Sequence, residues 1–273
     1  MKRSGKTERS FMDDIYIIAD ACSNHNQDFD RACELVRAAK DVGCDAVKFQ
    51  LFTADNLWNK DTQPSYYAAA VKNELPKEWI PDLFKLAHDV GIEFGCTAFD
   101  LETVDFLYPF VDFYKVASYE MLYTDLLNKI DSMKKPFYVS TGMSSRREVH
   151  ELVYGGYRNL CGIFHCVSKY PPKTIDTINV ERIQATYPHL PVGYSDHTGD
   201  ISHIAYKCVN ADMLEFHLDL GDLKGNESSA GHCWSKEEAT RMVEVLKRER
   251  IKYTREDWGE RHLRTNPDTG LRG

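Results

Sequence analysis

Two lysines and two histidines raise the chemical question in this chain. Lys48 and Lys115 stand inside runs that are otherwise apolar, "AVKFQ" (46–50) and "FYKVA" (113–117). An ammonium buried in such a run is unfavourable unless an opposite charge meets it. His197 closes the run "VGYSDH" and His217 closes "MLEFH". Neutral imidazole nitrogens are ligands for divalent ions, and neighbouring strand ends lie about 5 Å apart, close enough to share one ion. Two ammonium groups with several hydroxyls facing one space suit a small anion carrying more than one charge. The chemistry to expect is metal-assisted work on a phosphate- or carboxylate-bearing molecule. A histidine at a strand end is also an ordinary hydrogen-bonded rim residue, and a lysine in a strand can snorkel to the surface. Only the joint placement argues for a site.

Joint placement needs a scaffold. Short apolar runs at 15–20, 46–50, 93–97, 113–117, 137–141, 162–166, 192–196 and 213–217 alternate with stretches of helical periodicity at 29–43, 77–91, 100–110, 123–133, 144–156, 179–188, 201–211 and 235–250. In the first of these, Ala32, Leu35, Val36 and Ala39 form one stripe and Gly43 stops it. Eight strand–helix units predict one α/β domain, a single (β/α)8 TIM barrel over 15–250, in preference to a doubly wound sheet. Residues 1–14 read as a disordered lead-in and 251–273 as a polar, irregular tail. The stretch 51–76 is long for a connection after a strand and reads as a lid or substrate loop. Active sites of such barrels lie at the C-terminal strand ends. Those ends supply Asp20 with Cys22, Asn24 and His25, then Lys48, Gln50, Thr97, Lys115, Ser118, Glu120, Ser140, Thr141, Ser168, Lys169, Tyr170, Ser195, Asp196, His197, His217 and Asp219.

The bulk numbers exclude several classes. The 273 residues carry a formal charge of −8, and the basic side chains form no stripe, so nucleic acid is not an expected partner. No apolar run approaches the roughly 20 residues of a membrane span, and the N-terminus lacks a secretory apolar region. The eight cysteines contain no CxxC pair and read as reduced thiols of a cytoplasmic protein.

The segments "IIADACSNHNQD", "DAVKFQLF", "CTAFD", "KVASYEM", "VSTGMSS", "FHCVSKYPP", "GYSDHTGD" and "EFHLDL" occur in an order that resembles the sialic acid (N-acetylneuraminate) synthase family, within the phosphoenolpyruvate-condensing barrels. The resemblance implies a transferase that joins phosphoenolpyruvate to the aldehyde of an aldose, an amino sugar such as N-acetylmannosamine or a relative. The products are a 2-keto-3-deoxy nonulosonic acid and phosphate. It implies a divalent metal, usually manganese, on His197 and His217. Lys48, Thr97, Lys115, Ser118, Ser140 and Ser195 would contact phosphoenolpyruvate. Glu120 and Tyr170 would stand on the sugar side, with Gln50 and Asp196 in support. Members of the family dimerise, which leaves a homodimer open.

This sequence also departs from the family. Asp20 is one methylene shorter than the usual Glu. Cys22 stands where related octulosonate- and heptulosonate-phosphate synthases place a cysteine metal ligand, so an octulosonate-phosphate-type reaction with Cys22 as third ligand is the first alternative. Ser168 falls where Asn or Ser is found and decides little. After the eighth strand, "GDLKGNESSAGHCW" replaces the common Pro-Gly-Pro-Asp, and either Glu227 or His232 takes that place or caps the next helix. We expect no room for the family's C-terminal antifreeze-like domain, which would put the sugar half of the site in doubt. A barrel that binds sugar or phosphoenolpyruvate without catalysis is the second alternative. A metal hydrolase would leave the lysines without a purpose.

Overall fold

The computed structural model describes residues 15–172, 177–200, 204 and 210–261, with side chains described as far as residue 250. Its strands and helices run in chain order as β1 (Tyr16–Asp20), α1 (Phe29–Val42), β2 (Ala46–Leu51), α2 (Ala54–Leu57), α3 (Pro64–Asn73), α4 (Ile80–Val90), β3 (Glu93–Ala98), α5 (Leu101–Leu107), β4 (Phe113–Val116), α6 (Thr124–Ser132), β5 (Phe137–Ser140), α7 (Arg146–Val153), β6 (Leu160–Cys166), α8 (Ile178–Thr186), β7 (Val192–Asp196), β8 (Met213–Asp219), β9 (Trp234–Ser235) and α9 (Lys236–Arg261). Strands β1 to β8 pair in sequence order, and β1 pairs in parallel with β8, which closes the barrel. The expected (β/α)8 barrel is therefore the observed one. Among the described residues, no helix is long and apolar enough to cross a membrane.

Local chemistry explains where the helices begin and end. Asp28 caps α1 by accepting from the amides of Asp30 and Arg31, and Gly43 ends it in the left-handed region at φ 89°. Ser145 and Glu148 form a reciprocal capping box at the start of α7. Inside the barrel, Tyr16, Ile18, Ala46, Phe113, Phe164 and Met213 form an apolar plug, with Tyr138 against it. Gly95 makes room for this plug, because a Cβ there would lie 2.2 Å from the Phe113 ring. Above the plug the inner face turns polar along each strand, and the site sits there.

Several expectations needed adjustment. The stretch 51–76 is not one loop but carries α2 and α3, with Trp58 stacked on Tyr66 at 4.9 Å and Gln27 donating to the Val71 carbonyl at 2.9 Å. The last helix does not stop at 250 but continues to Arg261. Strand β9 was not anticipated; it extends β8 with the register Leu218↔Trp234 and Asp219↔Ser235. A two-residue strand is too short for any periodicity to reveal. The lead-in 1–14, most of the helix expected at 201–211, and residues 262–273 lie outside the described residues.

Candidate active site

Alternation along the strands brings the polar groups to the barrel mouth. The Lys48 ammonium lies 2.7 Å from Asp20 Oδ2 and 3.6 Å from Glu215 Oε1, and it donates to Thr97 Oγ1 at 3.2 Å. Lys115 Nζ lies 3.2 Å from Glu215 Oε2 and 2.5 Å from Ser140 Oγ. Gln50 donates to Asp20 Oδ2 at 2.8 Å. Burial works against the Lys48 charge, but Asp20 and Glu215 outweigh it and hold the ammonium above its ordinary range. Burial likewise works against the Glu215 carboxylate, and Lys115 and Lys48 outweigh that, so it stays below the usual carboxylate range.

Glu215 was missed in the sequence. Its signal was present, because Glu215, His217 and Asp219 alternate on one face of an otherwise apolar strand. Its consequence is electrostatic: two ammonium groups face two carboxylates, so the lysines are neutralised from within. Asp20, expected among the strand-end residues, meets Lys48 and Gln50.

A second group of hydroxyls lies beside the lysines. Ser118 Oγ accepts from the Gly142 amide at 3.1 Å and lies 3.3 Å from Cys166 Sγ. A Cβ on Gly142 would sit 2.3 Å from Ser168 Oγ and 2.9 Å from Ser118 Oγ, so only glycine leaves this cradle open. Ser195, Thr97 and Ser140 are buried on the same inner face. Two residues expected at the mouth also bond to the surrounding frame. Asp196 accepts from the Thr198 amide and hydroxyl, the Gly199 amide and Trp234 Nε1, the last at 2.7 Å. Asn24 is fully buried, donates to the Leu218 carbonyl and accepts from the Glu227 amide, each at 2.9 Å.

The His197 and His217 rings are 5.2 Å apart, and the Tyr170 ring lies 4.2 Å from His197, tilted by 33°. A carbonyl can only accept, so the 3.0 Å contact from His197 Nδ1 to the Val167 oxygen puts the proton on Nδ1 and leaves the Nε2 lone pair free to ligate. Burial, then His217, lowers the His197 pKa to about 3, which keeps it in the ligating form. Asp20, Cys22 and His217 bring ligand atoms within 4.8 Å of one another. The donor set fits a divalent ion. Burial pushes the Cys22 thiol well up, and its sulfur donates to the Asp20 carbonyl at 3.2 Å.

Glu120 Oε2 is buried without a hydrogen-bond partner among the described residues. Burial raises the carboxyl to about 7, against smaller pulls from its own amide and from Lys115. The unfolded chain releases this proton near the ordinary value of 4.5 while the folded chain keeps it. Stability therefore falls as pH rises from 4.5 and levels off above about 7. Glu120→Gln should match the wild type in thermal unfolding at low pH and exceed it by about 2–3 kcal/mol in mild alkali. Equal midpoints at both ends would contradict the buried proton.

The fold is thus a (β/α)8 barrel that gathers lysines, hydroxyls and histidines at one mouth. A model of the NeuB family matches residues 35–256, and the chain belongs to that family. It is 39% identical over 208 residues to the N,N'-diacetyllegionaminic acid synthase of Legionella pneumophila, covering 67% of this chain and 57% of that one. Over 238 residues it is 30% identical to the human N-acetylneuraminate-9-phosphate synthase, covering 79% of this chain and 65% of the other. The chain thus spans about three fifths of the length of these two relatives. Its fold matches the crystal structure of an N-acetylneuraminic acid synthetase from Leptospira borgpetersenii with a TM-score of 0.82, at 23% identity, over 94% of this chain and 89% of that one.

Proposed function

We propose that this chain condenses phosphoenolpyruvate with the aldehyde of an open-chain amino sugar to give a nonulosonic acid and phosphate. The observation that carries the reading is the buried pair Lys48 and Lys115, set among Thr97, Ser140, Ser118 and Ser195 in a member of the NeuB family. The lysines would hold the phosphate and carboxylate, and the serine cradle at Gly142 would admit their oxygens. In the reaction the enol carbon bonds to the aldehyde carbon, water adds to the neighbouring carbon, and the carbon–oxygen bond to phosphate breaks. A protonated Glu120 beside Lys115 suits donation to a sugar oxygen. A divalent ion, manganese by resemblance, would be held by His197 and His217 and would polarise the aldehyde oxygen. The cysteines described are free thiols, which supports the cytoplasmic placement.

The acceptor is N-acetylmannosamine or a diamino relative. The two relatives above are named for different products, so the family alone does not choose. The octulosonate-phosphate alternative needs Cys22 as a metal ligand, whereas its sulfur is turned to the Asp20 carbonyl at 3.2 Å. The test is phosphate release from phosphoenolpyruvate with manganese and a panel of unphosphorylated and phosphorylated aldoses. We expect release that depends on an amino sugar and survives Cys22→Ser. Release with none, together with no phosphoenolpyruvate binding, would leave a non-catalytic barrel.

A further inference from the structure

A second ligand set lies on the far side of His217. His217 Nδ1 meets Glu227 Oε2 at 2.9 Å, while its other nitrogen is the one 4.0 Å from Asp20. His232 Nε2 meets the same Glu227 oxygen at 3.0 Å, and the two imidazole rings are 4.9 Å apart. Cys233 completes the group, and the ligand atoms of His217, Glu227, His232 and Cys233 all lie within 4.8 Å of one another.

We propose that His217, Glu227, His232 and Cys233 form a zinc-type metal centre in which Cys233 is a thiolate ligand. Two imidazoles, a carboxylate and a thiolate are the donor mixture that a borderline ion takes in tetrahedral geometry, whereas hard ions prefer oxygen alone. A tetrahedron with metal–ligand bonds of about 2.0–2.3 Å has edges of roughly 3.3–3.8 Å. Two of the pairs stand at 2.9 and 3.0 Å and all lie within 4.8 Å, which brackets that size.

The surroundings are built as an outer shell. Ser23 donates to the second Glu227 oxygen from both its hydroxyl and its amide, at 2.6 and 3.2 Å, so that carboxylate presents Oε2 to the centre. Asn24 Nδ2 lies 3.5 Å from Cys233 Sγ, and Asn24 Oδ1 also takes the Glu227 amide. His232 is buried, and its Nδ1 has no hydrogen-bond partner among the described residues. The ligands are also held on rigid elements: β9 pins Cys233 beside β8, and Trp234 anchors to Asp196. The centre goes beyond the proposed reaction and meets it only at His217, whose imidazole, when both ions are bound, gives up its N–H proton to solvent and bridges zinc on Nδ1 and the second ion on Nε2.

The test strips the purified chain with chelator and reloads it with zinc or cobalt alone. We expect one firmly held zinc per chain that excess manganese does not displace. The cobalt form should show a near-ultraviolet thiolate-to-cobalt charge-transfer band. Cys233→Ser should abolish the band, while Cys22→Ser and His197→Ala keep it. Ser23→Ala, which leaves every ligand in place, should weaken zinc binding about 10–100-fold. A folded wild type without the band would overturn the proposal whatever the variants do. So would a band that follows Cys22 instead of Cys233. Failure of the synthase reading shows separately, as absent phosphoenolpyruvate binding with the cobalt band intact.

Discussion

Glu215→Gln is expected to destabilise the barrel by about 3–5 kcal/mol, because it leaves two buried ammonium groups facing one carboxylate. Asp20 still neutralises Lys48 at 2.7 Å, so the orphan is Lys115, left with the Ser140 hydroxyl and the Val116 carbonyl. Neither neutralises a charge. For a chain of this size each kcal/mol moves the unfolding midpoint by roughly 2–4 °C, and calorimetry or circular dichroism will read a shift of that order. The same change should strengthen binding of inorganic phosphate and phosphoenolpyruvate, since the pocket gains one net positive charge. Phosphate should therefore raise the midpoint of Glu215→Gln more than that of the wild type. A variant as stable as the wild type, or indifferent to phosphate, would show that the lysines are not coupled through Glu215.

That residue also shows what the sequence made legible and what it did not. Lys48 and Lys115 declared themselves because a lysine in "AVKFQ" or "FYKVA" breaks an apolar run, and the eight alternating units fixed which end of the barrel they share. Glu215 breaks "MLEFH" in the same way, but His217 two positions on drew the metal argument and the acid went unassigned. The partnering of Glu215 with Lys115 joins β8 to β4 across the barrel interior, and no local pattern encodes that distance. Asn24 and Asp196 show partners that the sequence did not reveal. Both sit just where a strand ends, but each spends its hydrogen bonds on neighbouring loops: Asn24 on the β8 connection, Asp196 on its own turn and Trp234. Position along a strand predicts which end a side chain occupies, not whether a buried amide or indole will claim it first. Arg31 went unnoticed for a related reason. It lies in the amphipathic α1, yet it reaches Asp219 at 2.9 Å and Asp222 at 2.7 Å and so ties the loop after β8 to the first helix.

Lys115→Ala should weaken phosphoenolpyruvate binding about 10²–10³-fold, the equivalent of roughly 3–4 kcal/mol. The two lysines are not equivalent. Lys48 is held at 2.7 Å by Asp20, which Gln50 also steadies, whereas Lys115 stands 3.2 Å from Glu215 Oε2, and the other oxygen of that carboxylate faces Lys48 at 3.6 Å. The looser ammonium can turn toward an incoming anion at the smaller loss, so Lys115 should carry more of the affinity. Its removal also frees Glu215 to repel the ligand, which adds to the missing attraction. Titration calorimetry of the metal-loaded protein measures this directly. The double variant Lys115→Ala with Glu215→Gln separates the two contributions. Removing both charges leaves no unpaired ion, so stability should return close to that of the wild type. Binding should recover only the part that Glu215 repulsion had taken. If the double variant bound phosphoenolpyruvate as tightly as the wild type, Lys115 would be a structural counter-ion for Glu215 and the anion would rest on Lys48 alone.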